Sequence, residues 1–120
     1  MSKRILLVSF DDCLLVKQRA LLEQQGYKVM SAMRLKEAAA GCENGTFDLF
    51  ILGRSIPYTV KKDLIETFRA HHTTPILSLW GPGEQIVEAV NYLEFSNELG
   101  DFVRGVRTIL ATAPQKNPGN

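Results

Sequence analysis

Three groups of residues in this chain have types and spacings that could do chemistry. The first is Asp11-Asp12-Cys13, with Ser9 before it and Arg19 after it. Adjacent carboxylates are natural ligands for a hard divalent cation. Cys13 and Arg19 are separated by five residues, a spacing that cradles phosphate and activates a thiol when the intervening loop turns its backbone N–H groups inward. Here those residues are Leu14-Leu15-Val16-Lys17-Gln18, without a glycine, and Asp11 and Asp12 would repel the anion. A spacing without its structural context is a chance match. The second group is DLFILGRSIP, residues 48–57, an apolar run ending at Gly53. In open α/β sheets chemistry gathers at the carboxyl ends of strands, and Gly53 stands at such an end with no side chain. The third group, His71-His72, points two imidazoles in different directions; a solvated helix end stabilised by the dipole is the simpler reading.

The elements that must position these groups follow from two alternating periodicities. Ile5 to Val8 is fully apolar, as in a strand buried on both faces. Asp12 is a candidate N-cap for a helix ending at Gly26, with Leu14, Leu15, Leu21 and Leu22 inside. Tyr27 to Ser31 reads as a strand. Leu35, Ala38, Ala39 and Cys42 form one helical stripe, and Phe47 to Leu52 is the strand that ends at Gly53. Val60, Leu64, Ile65 and Phe68 mark a third helix, with Lys61-Lys62 read as its solvated face. Ile76 to Trp80 is a fourth strand and Gly81-Pro82 a break. A short helix carrying Ile86, Val87 and Val90 leads to a brief strand, Tyr92 to Phe95. Ser96 or Asn97 caps a last helix with Leu99, Phe102, Val103, Val106 and Leu110 inside. Short strands each followed by a helix predict a parallel sheet covered on both faces.

Composition narrows the function classes. At 120 residues and 45% hydrophobic, the chain reads as one domain, 1–112, followed by a flexible tail, Ala113 to Asn120, with two prolines and a glycine. A net charge of +1 gives no general attraction to nucleic acid or to acidic membranes. Cys13 and Cys42 have no paired or metal-type spacing, and Met-Ser-Lys-Arg is no signal peptide; reduced thiols and a cytoplasmic location are expected. No apolar run approaches the roughly 20 residues that span a bilayer.

Four stretches then acquire a common meaning: ILLVSFDDCLLVKQRALLEQQGYKV, FDLFILGRSIP, TPILSLW, and NYLEF with DFVRGVRTIL. In this order and spacing the chain resembles the receiver domain of bacterial response regulators, in register from Ile5 to Leu110. The resemblance implies a CheY-like, flavodoxin-like α/β fold: a doubly wound five-stranded parallel sheet of order 2-1-3-4-5. It also implies two-component (phosphorelay) signalling through protein partners or a homodimer.

In receivers five positions carry the chemistry. Two adjacent acids hold a divalent metal, an aspartate accepts a phosphoryl group, and a Thr or Ser and a Lys contact that group. By the resemblance these fall on Ser9 and Phe10, on Gly53, on Trp80 and on Phe95, and all five are replaced. A phosphoryl group needs cations to offset its charge, and Phe95 supplies none. The expectation is a pseudo-receiver with no metal, no cofactor and no catalytic residue. Asp11 and Asp12 remain as residual acids near the site. Tyr92 stands where receivers place a switch aromatic, and Phe10, Trp80 and Phe95 are expected to pack around Gly53, whose missing side chain leaves room for a ring. The segment from Trp80 to Phe95 is shorter than in receivers, so the fourth helix should be reduced, over Glu84 to Asn91. Arg104 and Arg107, spaced i, i+3 on the last helix, are a candidate partner surface. The alternative reading is a small α/β enzyme or ligand binder using the crevice around Ser9, Asp11, Gly53 and Trp80; a flavodoxin-type phosphate loop is not among its options, since SFDDC is acidic and lacks glycine.

Overall fold

Alternation along the apolar runs decides the layering. The computed structural model describes residues 3–44, 46–53, 55–79, 92–94 and 99–112, with 35, 42–44, 92–94, 99 and 112 as backbone alone. Strand β1 (Arg4–Val8) is paired in parallel with β2 (Lys28–Ala32) on one side and β3 (Leu49–Leu52) on the other; β4 (Ile76–Leu79) follows β3, also parallel. The order of these four is 2-1-3-4. The backbone of β5 (Tyr92–Glu94) runs alongside β4, with Tyr92 opposite Leu77.

Odd and even residues of the strands enter different cores. Ile5, Leu7, Leu49, Ile51, Leu77 and Leu79 pack with Leu15 and Leu22 of α1 (Asp12–Gln24) and with Phe102, Val106 and Leu110 of α4 (Leu99–Thr112). Leu6, Val8, Phe50, Leu52 and Ile76 pack with Ala38 of α2 (Leu35–Asn44) and with Leu64, Ile65 and Phe68 of α3 (Tyr58–His71). Phe50 and Phe68 stack at 3.9 Å between ring centroids. Every residue of β3 and β4 is buried, which is why β3 reads as an unbroken apolar run and β4 as one interrupted by Ser78 alone.

Two local expectations are corrected. The cap of α1 is Asp11, one residue earlier than Asp12: its backbone is extended and its carboxylate accepts from Leu14 N at 3.1 Å. Asp12 is the first helical residue, an acid in the first turn where the dipole favours it. The helix stops at Gln24, and Gly26 follows with φ +94°, a conformation that favours glycine. The second correction is Lys61. It is fully buried rather than solvated, while its neighbour Lys62 is exposed. The expected fourth helix, the caps at Ser96 or Asn97 and the tail lie outside the described residues.

Candidate functional site: the strand ends around Gly53

Because all strands are parallel, the ends of β1, β3 and β4 open on one edge of the sheet. Val8 pairs with Leu52 and Leu52 with Ser78, so Ser9, Gly53 and Leu79 stand level, one step beyond. Gly53 is buried; its N–H donates to Val8 O at 2.7 Å and its carbonyl accepts from Ile56 N at 3.3 Å. A Cβ on Gly53 would lie 3.0 Å from Ser9 Cβ, from Ser9 Oγ and from Val8 O. The space beside Gly53 is therefore filled by Ser9, and the expected room for an aromatic ring is not there. Phe10, partly buried, packs against the core cluster of Val8, Leu52 and Ile56 instead.

Ser9 is fully buried and its hydroxyl is engaged. Asp11 N donates to it at 3.2 Å, and Ser55 Oγ lies 3.4 Å away. Ser55 Oγ also accepts from Phe10 N at 2.9 Å, so this exposed loop residue clasps the ends of β1 and β3 together. Sequence reasoning did not single out Ser55; its signal was a hydroxyl two residues after the strand end. The acid–hydroxyl pair of the enzyme reading does not form, since the Ser9 hydroxyl meets the backbone of Asp11 while the Asp11 carboxylate caps α1.

Lys61 brings a cation to the same edge. From the first turns of α3 its Nζ donates to Leu79 O at 2.7 Å, and Leu79 is the residue level with Gly53. A buried ammonium is tolerated only where hydrogen bonds replace its water. The aliphatic stem joins the apolar stripe of α3, and the head reaches the strand end.

The remaining candidates separate. Ligand atoms of Asp11, Asp12 and Cys13 lie within 4.8 Å of one another, all on exposed residues. Arg19 bonds to Glu23 and to Ser31, and the residues between Cys13 and Arg19 are helical, so no phosphate-cradling loop exists. His71 and His72 meet no further metal ligand among the described residues; the two rings are inclined at 59°, and His72 packs on Phe68 at 4.7 Å. Arg104 and Arg107 are exposed on α4. Trp80 and Phe95, like the side chain of Tyr92, lie outside the described residues. Among those residues no helix is long and apolar enough to cross a membrane.

Comparison with known proteins bears on the fold. No protein-family model matches the chain. It is 37% identical over 79 residues to the regulatory protein VanRB of Enterococcus faecalis, a stretch covering 66% of this chain and 36% of that protein. A CheY-like receiver domain from Methanospirillum hungatei superposes with a TM-score of 0.81 at 20% identity, covering 98% of this chain and 100% of that one. A two-component response regulator from Clostridium difficile gives 0.79 at 18% identity, over 92% and 98%. The receiver domain of a Pseudomonas aeruginosa sensor histidine kinase, with magnesium coordinated in its active-site cleft, gives 0.78 at 17% identity, over 93% and 100%. The chain has the fold of a CheY-like response-regulator receiver domain.

Proposed function

We propose that this chain is an atypical receiver module of two-component signal transduction that acts through protein–protein contact without being phosphorylated. The observation that carries this reading is Ser9 packed against Gly53. By the resemblance these are an acid position and the acceptor position, and a hydroxyl side chain fills the room in which an acceptor carboxylate would begin.

The divalent cation that the fold family implies does not fit this donor set. Ser9 is hydrogen-bonded to the Asp11 N–H, Phe10 and Gly53 offer no side-chain ligand, and the Asp11 carboxylate faces Leu14 N. Phe95 leaves no ammonium at the end of the last strand. Lys61 fits a module with one resting state, because its bond to Leu79 O ties down the end of β4 with no phosphate to answer.

The finer parts of the proposal follow the same logic. β5 is the fifth strand of the order 2-1-3-4-5. By the resemblance Tyr92 is a switch aromatic without a hydroxyl to follow, and Arg104 and Arg107 belong to the surface met by a signalling partner or a second copy. The module is cytoplasmic and is not an enzyme.

The test is capture of partners from the native cell extract, with and without a small phosphodonor and Mg²⁺. The proposal expects the same signalling proteins in the same amounts in both. Capture that appears only with the phosphodonor, and is absent from phosphodonor-treated extract lacking this chain, contradicts it.

A further inference from the structure

We propose that the opposite edge of the sheet, where α4 passes the starts of β1 and β2, binds a small anion carrying adjacent phosphates. An open groove of ≈ 560 Å³ lies there, lined by Lys3, Tyr27, Arg104, Arg107, Thr108 and Leu110 among others, with no carboxylate among the described residues of its wall. Pockets for small molecules run from roughly 300 to 1,000 Å³.

The chemistry of the wall selects the ligand. Lys3 and Arg107 are exposed, and among the described residues neither has a carboxylate within ion-pair distance. Arg104 pairs with Asp101 at 2.7 Å, but its side chain is 73% exposed. Such a surface pair is weak, so the guanidinium can exchange Asp101 for a ligand oxygen. Arginine presents a planar fork of donors that matches phosphate oxygens, and lysine adds a point charge. Three cations converging on one cavity suit an anion of more than one charge, and Tyr27 with the buried Leu110 leaves an apolar side for an organic group.

The surroundings reinforce this. Arg4 and Lys28, opposite one another at the starts of β1 and β2, add positive charge to the same edge, against one carboxylate there, Asp48, which accepts from Arg4 N at 2.8 Å. The site depends on no property of the Gly53 crevice. A bound anion would cover the arginines proposed above for a partner, so the two would exclude each other.

The experiment titrates the full chain at low ionic strength with inorganic diphosphate, ADP and adenosine, each followed by calorimetry and by ¹⁵N chemical shifts. Diphosphate and ADP should bind with shifts at Lys3, Tyr27 and Arg107, and adenosine should not. The double variant Arg104→Gln/Arg107→Gln should weaken both anions by about tenfold or more. The control Lys17→Gln/Lys62→Gln, which removes two exposed charges elsewhere, should bind as the parent does. A higher affinity for ADP than for diphosphate would place its organic part against Tyr27; equal affinities would mean that phosphates alone are read. Absence of binding by either anion overturns the proposal. So does binding undiminished in the arginine variant, or equally diminished in the lysine control.

Discussion

Ser9 Oγ stands 3.0 Å from the point where a Gly53 Cβ would be, so the two positions share a space that holds one side chain. Val8 O, equally close, is backbone and cannot swing aside. The ends of β1 and β3 are thus fitted to glycine at 53 and to a small residue at 9.

Gly53→Ala should therefore cost about 1–3 kcal/mol of stability by overpacking, and Gly53→Asp more, because it also buries an unpartnered carboxylate. Ser9→Gly should relieve part of the clash, giving the double variant Ser9→Gly/Gly53→Ala a smaller loss than the sum of the single ones. Denaturant midpoints read this directly. Strict additivity would mean that Ser9 does not fill the space.

Lys61 and Lys62 make an internal control. Lys61→Ala removes a buried stem and the bond to Leu79 O, and should cost about 2 kcal/mol or more. Lys62→Ala, at an exposed position, should stay within about 0.5 kcal/mol of the parent. Equal effects in thermal or denaturant unfolding would place the Lys61 ammonium in water.

The cap of α1 can be assigned by the same comparison. Asp11→Ala loses the bond to Leu14 N and should cost about 1 kcal/mol. Asp12→Ala, which loses only a favourable charge in the first turn, should cost about half of that or less. The reverse ranking would restore Asp12 as the cap.

Much of this was legible in the sequence, for physical reasons that differ by residue. The runs Ile5–Val8 and Leu49–Leu52 are apolar at every position, and Ile76–Leu79 at all but Ser78, because both faces of the sheet are covered; that pattern survives without knowing which helix covers which face. The sequence leaves the cap uncertain by one residue because Asp11 and Asp12 offer the same carboxylate, and only the extended backbone at 11 decides between them. The charge of Lys61 points to the surface, although it stands at i with Leu64, Ile65 and Phe68 at i+3, i+4 and i+7, all buried. The stripe carried the signal and the residue type hid it. The contact of Ser9 with Gly53 was not legible, because it joins two strands distant in the chain and depends on their register. The missing side chain suggested a void, and the neighbouring strand had already filled it.

The central claim is that the Gly53 strand end accepts no phosphoryl group. Its most direct test is the intact mass of the full chain after incubation with acetyl phosphate and Mg²⁺, measured at neutral pH before any acyl phosphate can hydrolyse, beside a phosphorylatable receiver as positive control. The account predicts an unchanged mass, whereas a population heavier by one phosphoryl group, mapped to Asp11 or Asp12, would contradict it.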